Sequence, residues 1–191
     1  MTVQTQIIAP SRIPAGAPND GDGIVVGTGP VRVDAFIDFL CPFCRAFEEH
    51  SGAALQRMVA DELISLVYHP LGYLDGLSTT RYSSRAASAS GCASDAGGFA
   101  AYKAALFANQ PPEGGPGLSD EQLVELGGAV GIDDGGFPPC VSGQAYLPWT
   151  EYMTARATQR GVQATPTVLV GGVPVPANAT MIAAAVAELL P

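Results

Sequence analysis

The sequence predicts an α/β fold: a central mixed β-sheet, flanked by helices and interrupted by an all-helical insertion. Three observations carry that expectation. A strand–helix–strand pattern runs from Val31 to Tyr68, helical spacing then dominates as far as Arg160, and strand signals return at Thr167 ahead of a last helix. At 191 residues the chain is long enough to bury one core with a subdomain inserted in it. The sheet part is expected from two pieces, residues 1–77 and 161–191, and the insertion from residues 78–160.

Thr2 to Ile8 suits a short strand. Ala9 to Gly29 is rich in Pro, Gly, Asn and Asp, which reads as a long surface connection with a brief strand at Ile24–Val26. Val31 to Leu40 starts by alternating and becomes mostly apolar, as a central strand does. Pro42 to about Ala60 reads as a helix burying Phe47, Leu55, Met58 and Val59. Leu63 to Tyr68 is a second strand running into His69-Pro70, and such a β-α-β unit implies a parallel pair with a right-handed crossover.

The insertion opens with an Ala/Ser-rich stretch from Ser78 to Asp95, followed by Phe99, Tyr102, Ala105 and Leu106 at helical intervals. Gln110 to Leu118 is a Pro/Gly loop. Ser119 with Gln122 has the form of a capping box before Leu123, Leu126 and Val130, and Gly131 ends that run. Phe137 to Arg160 is expected to be helical and broken or kinked at Pro148, with Tyr146, Trp149, Tyr152 and Met153 as core residues. Gly171-Gly172 then signals a hairpin between Thr167–Val170 and Val173–Val175, with Pro174 confining the second strand to an edge. Asn178 can cap a last helix whose Ile182, Val186, Leu189 and Leu190 share a face.

The chemistry lies at Cys41-Pro42-Phe43-Cys44, between the first long strand and its helix. Two cysteines spaced by two residues at a strand-to-helix junction have the form of a thioredoxin-type redox motif. Cys41 falls at the N-cap and Pro42 at the first helical position, where its missing N–H costs nothing. A sulfur there meets unpaired backbone N–H groups and the positive end of the helix dipole. Such surroundings bring a cysteine pKa from about 8.5 toward roughly 3.5–7.5. Cys44, one turn on, can close a disulfide with Cys41 and resolve a mixed disulfide formed there. Two other readings stand beside this one: an inert disulfide, or half of a zinc site completed by Cys92 and Cys140, although those two stand alone rather than as a short-spaced pair.

Asp38-Phe39-Leu40-Cys41-Pro42-Phe43-Cys44, the helical middle and Gly161-Val162-Gln163-Ala164-Thr165-Pro166-Thr167 together resemble the DsbA family of thiol–disulfide oxidoreductases, over about Gly23 to Leu190. Phe99, Tyr102, Asn109 and Gln110 also sit where that family has similar residues. The resemblance implies a thioredoxin fold with a helical insertion. It makes Cys41 the exposed nucleophile, Cys44 the resolving thiol and Pro166 a cis-proline facing them. Thr165 would offer its backbone to an extended substrate segment, and its hydroxyl would tune the mixed disulfide. By the same likeness Cys92 and Cys140 form a structural disulfide within the insertion; closing a loop of about 49 residues would stabilise the fold by roughly 4 kcal/mol. Two separate buried thiols are the alternative.

The sequence departs from the family in two places. The buried acid that many thioredoxin-fold enzymes carry six residues before the first cysteine is replaced by Ala35, with Asp34 and Asp38 on either side. The active-site dipeptide Pro42-Phe43 lacks the histidine of the best-known members, so a milder oxidant is expected, with Arg45 a partial substitute for the missing charge. His50 and His69 lie away from the motif and are taken as structural.

The expected activity is therefore dithiol–disulfide exchange on protein cysteines, in the disulfide-donating direction, with no organic cofactor and no metal. The alternatives are a protein-disulfide reductase or a redox-regulated peptide-binding or chaperone module. Expected partners are cysteine-containing proteins and a recycling redox partner, in this family a quinone-linked membrane oxidase. A net charge of −9 with nine basic residues and no basic cluster argues against nucleic acid and anionic membranes. No stretch is long enough for a transmembrane helix, so membrane insertion by this chain is not expected. Only 40 residues precede Cys41, too few for an added dimerisation domain, so a monomer is expected. The N-terminal residues lack a secretory pattern, which places the chain as written in the cytoplasm; the alternative is an extracytoplasmic protein whose leader or anchor is absent from the sequence.

Overall fold

The computed structural model describes residues 7–190, so the strand expected at Thr2–Ile8 falls largely outside the described residues. Five strands form one mixed sheet: β1 (Ile24–Val26), β2 (Val31–Ile37), β3 (Ile64–Pro70), β4 (Thr167–Val170) and β5 (Val173–Val175), in the order β1-β3-β2-β4-β5. Only β2 and β3 are parallel, joined through α1 (Pro42–Ala60), while the other neighbours pair antiparallel. Pro174 sits in the edge strand β5, where its missing N–H deprives no neighbour of a ladder bond.

β2 ends three residues earlier than its apolar run. The Asp38 carboxylate accepts the Leu40 N–H at 2.9 Å, and this local turn swings the chain out of the sheet toward the helix. The helix then starts at Pro42, with Cys41 in extended backbone at its N-cap.

The register places Ala35 beside Tyr68 and Phe36 beside His69. Because side chains alternate along a strand, the two pairs face opposite sides of the sheet. On one side Tyr68 meets Phe99 and the Lys103 ammonium, with α1 and α7 (Ala179–Leu189) packed together. On the other, Phe36 stacks on His69 with ring centroids 4.3 Å apart.

The insertion holds α2 (Tyr82–Asp95), α3 (Phe99–Ala108), α4 (Asp120–Ala129), α5 (Phe137–Ser142) and α6 (Leu147–Gln159). The Ala, Ser and Gly residues of α2 are nearly all buried, and their small side chains admit α3, α5 and α6 at close range. Cys92 of α2 and Cys140 of α5 are bonded, with an S–S distance of 2.07 Å. Ser119 and Gln122 make the reciprocal bonds of a capping box, and Asn178 caps α7.

Three expectations are corrected. Pro148 does not kink a continuous helix: the chain breaks at 143–146 and Pro148 lies in the first turn of α6, where a proline is tolerated. Leu189 stands outside the buried face of α7, at 53% exposure. The Ala9–Gly29 connection is not all surface, since Asp22 is only 4% exposed. Gly23 allows this close approach. Its φ is +91°, and a Cβ there would lie 2.6 Å from Val67 Cγ1 and 2.8 Å from the Tyr68 carbonyl oxygen.

Candidate active site

The tip of α1 brings Cys41 and Cys44 together at one end of the parallel pair. Both are free thiols. Cys44 is fully buried, and the Asp38 N–H points at its sulfur from 3.5 Å. Cys41 is only 4% exposed, which corrects the expectation of an exposed nucleophile: it lies in the floor of a cleft of about 600 Å³ walled by Phe43, Tyr73, Leu74, Val162 and Thr165. The Thr165–Pro166 bond is cis, and the Cys41 thiol donates to the Thr165 carbonyl at 3.3 Å.

The two sulfurs have opposite acidities. Cys41 is lowered to about 6, first by the Cys44 thiol donating to its anion, then by the Thr165 side chain and the N–H groups of Cys44 and Phe43, against the opposing effect of burial. Burial and the neighbouring Cys41 anion push Cys44 far up, so it keeps its proton. At neutral pH the pair is one thiolate and one thiol, the arrangement that thiol–disulfide exchange requires. Arg45 bonds Glu49 at 2.7 Å on the exposed face of α1.

The turn before Cys41 is braced from the insertion. Asp38 is fully buried, and besides Leu40 N–H its carboxylate accepts the Ser83 hydroxyl of α2 at 2.7 Å and the Leu74 N–H at 2.9 Å. Burial, together with the nearby Cys41 anion, raises its pKa to about 6. Gln110, from the loop after α3, donates to the carbonyls of Phe39 and Cys41 at 2.9 and 3.0 Å. Sequence reasoning allowed that Asp38 caps or orients the strand-to-helix turn, and named Gln110 by family resemblance, but missed Tyr73, Leu74 and Ser83.

A second charged cluster lies behind the sheet, in contact with neither sulfur. His69 is fully buried, bonds Asp34 at 2.7 Å and faces Asp22 at 3.4 Å; Arg32 forks onto Asp34 while Arg160 bonds Asp22. His50 bonds the Ala46 carbonyl at 2.7 Å. Among the described residues no group of three or more His, Cys, Asp or Glu is placed to hold a metal. The four-cysteine zinc alternative loses Cys92 and Cys140 to their own bond.

A family model described as thioredoxin matches residues 20–186. The chain belongs to the thioredoxin family. Within it, a disulfide bond oxidoreductase (DsbG) from Mycobacterium tuberculosis, solved in its reduced form, shares 32% identity over 81% of this chain and 80% of that one, with a TM-score of 0.70. A reduced DsbA from the same organism matches equally, at 32% identity and a TM-score of 0.70, covering 81% and 84% of the two chains. MdbA, a thiol-disulfide oxidoreductase from Actinomyces oris, has a TM-score of 0.75 over 92% of both chains; at 20% identity it speaks for the fold alone. The serine/threonine-protein kinase PknE of Mycobacterium tuberculosis is 33% identical in an alignment of 121 residues that covers 59% of this chain and only 21% of the kinase.

This thioredoxin-family protein thus has the fold and helical insertion of DsbA-type oxidoreductases, and dithiol–disulfide exchange is the chemistry of its cysteine pair. The cytoplasmic setting read from the N-terminal residues is overturned by the same likeness. DsbA-type enzymes serve the oxidising space outside the bacterial cytoplasm, and the closed Cys92–Cys140 bond suits such a space. No helix among the described residues is long and apolar enough to cross a membrane.

Proposed function

We propose that this thioredoxin-family protein donates disulfides to other proteins, with Cys41 as nucleophile, Cys44 as resolving thiol and the Thr165–Pro166 backbone as the edge on which an extended substrate lies. The observation that carries this is the Cys41 thiol, lowered to about 6, lying against the Thr165 carbonyl in an open cleft. In the oxidised enzyme a substrate thiolate attacks Cys41 Sγ. The Cys41–Cys44 bond breaks, and Cys44 leaves as a thiolate and takes up a proton. A second substrate thiolate then attacks the substrate sulfur of the mixed disulfide, and Cys41 leaves as an anion that the helix tip stabilises. The substrate loses two electrons and two protons, and the reduced pair is reoxidised by a partner acceptor, for which the family's quinone-linked membrane oxidase is the precedent. Pro42 sets the helix start and Phe43 forms the rim of the cleft. Cys92–Cys140 serves as a structural staple. We take residues 1–77 with 161–191 as the catalytic part and 78–160 as the insertion, acting as a monomer without nucleic acid.

A reductase is the second reading, favoured by the poise of the sulfur. A value of about 6 lies between those of strongly oxidising DsbA, roughly 3.5, and reducing thioredoxin, roughly 7. Phe43 brings no charge to move it lower. The two directions separate in paired assays. Oxidised protein should restore activity to reduced, unfolded ribonuclease, and Cys41→Ser should abolish that effect. Insulin reduction outpacing ribonuclease oxidation would favour the reductase, and a Cys41→Ser variant as effective as the parent would leave only a peptide-binding module.

A further inference from the structure

The cleft over Cys41 has a single carboxylate in its lining, Glu113. Apart from the reacting cysteine, the other lining groups are apolar or neutral, and the Tyr73 hydroxyl is engaged by the Val162 carbonyl at 2.7 Å. Glu113 is exposed, and no cation among the described residues pairs with it. Its backbone is held in place. The loop that carries it is tied down by Gly114 N–H to the Leu77 carbonyl at 2.7 Å and by Thr79 N–H to the Gly115 carbonyl at 3.0 Å. The same loop begins at Gln110, which grips the Cys41 carbonyl.

Across the Thr165 ridge lies a second groove, lined by Phe47, His50, Ser51, Pro166 and Asn178, with no carboxylate. Phe43, 73% exposed, stands on the rim of both. An extended segment crossing Thr165 therefore passes from a groove without a carboxylate, over the sulfur, into one that carries a negative charge. The two halves of a substrate meet different chemistry.

We propose that the cleft selects protein segments carrying a basic residue on one side of the reacting cysteine, and that Glu113 is the residue that reads it. This deepens the exchange function proposed above and rests on it. The chain's net charge of −9 would attract any cationic substrate from a distance. A carboxylate lining only one of the two grooves does something that net charge does not: it distinguishes the two directions along the bound segment. An exposed ion pair is worth little, so the preference is modest and sensitive to salt.

The test uses dithiol peptides with leucine beside the attacking cysteine. Lys, Gln or Glu is placed within four residues on its N-terminal or its C-terminal side. Oxidation rates are measured with the oxidised full chain at low and high salt. The expected result is a roughly two- to fivefold advantage of Lys over Glu on one side only, the size of one exposed ion pair. That advantage should disappear in Glu113→Gln, reverse in Glu113→Lys, and persist in Glu125→Gln, which removes a charge from α4 outside the cleft. Equal advantages on both sides, or a one-sided advantage that survives Glu113→Gln, would overturn the proposal while leaving exchange intact. If the neutral peptide is not oxidised at all, the exchange reading fails and this inference falls with it.

Discussion

Replacing Cys44 with alanine tests what holds the Cys41 anion. The largest influence lowering Cys41 to about 6 is the Cys44 thiol, ahead of Thr165 and the N–H groups of the helix tip. Hydrogen bonds to charged groups contribute about 1.5–3 kcal/mol, and a thiol, as a weak donor, belongs at the lower end. One pKa unit is about 1.4 kcal/mol, so Cys44→Ala should raise Cys41 by about one unit, toward 7. At pH 7 the thiolate fraction would fall from about 90% to about 50%. Ultraviolet thiolate absorbance and iodoacetamide alkylation, both followed against pH, read the same midpoint independently. Cys44→Ser, which keeps a hydroxyl donor, should recover part of the shift. A Cys44→Ala midpoint within about 0.3 unit of the parent would refute the reasoning and assign the anion's stability to the helix tip alone.

Two stability predictions accompany it. Burial opposes ionisation of Asp22 and Asp34, but their contacts with His69, aided by Arg160 and Arg32, outweigh it and hold both carboxyls below the ordinary range. Their contribution is therefore present above about pH 4 and is lost as pH falls further, while buried Asp38, raised to about 6, acts in the opposite sense and loses its contribution as pH rises through that value. His69→Ala should cost about 3 kcal/mol near neutral pH, since Arg32 and Arg160 still cover part of the exposed charge, and should flatten the acid limb of the urea midpoint. A loss below about 1 kcal/mol would show that the cluster is solvated. Removing the Cys92–Cys140 bond by a double alanine substitution frees a loop with a sequence separation of 48 and should cost about 4 kcal/mol by denaturant unfolding; no loss would mean that α2 and α5 hold together by packing alone.

Elements whose cause is local were legible from the sequence. α1 begins at Pro42 because proline is tolerated in the first turn of a helix and not in its interior, and α4 begins where Ser119 and Gln122 can cap each other. Long-range elements were not. Nothing near Asp22 announces that it will meet His69, because the contact depends on a chain reversal that Gly23 permits and on pairing that brings β3 beneath it. The position of Pro148 misled for a related reason: the same residue breaks a helix from inside and starts one from its first turn, and only packing around Tyr146 and Trp149 decides which. The motif also said where the sulfur would be, but not that Phe43, Tyr73 and Leu74 would wall it in.

Ala35 in place of the usual buried acid leaves the question of what acts on Cys44. Asp38 has moved the carboxyl to the other end of the strand-to-helix turn, where its own N–H, rather than its side chain, faces the Cys44 sulfur. Its carboxylate is occupied by Leu40, Leu74 and Ser83, so it fastens the turn to the cleft wall and to the insertion. This has an electrostatic consequence. The nearby Cys41 anion joins burial in favouring the protonated form of Asp38, and Asp38 and Cys41 both stand near 6. The Cys44 thiol pulls Cys41 down while burial of Cys41 itself limits the fall. With no histidine at position 43 to tip that balance, the sulfur settles between the extremes of its fold, and the insertion, through Ser83 and Gln110, holds the geometry in which the two opposing effects meet.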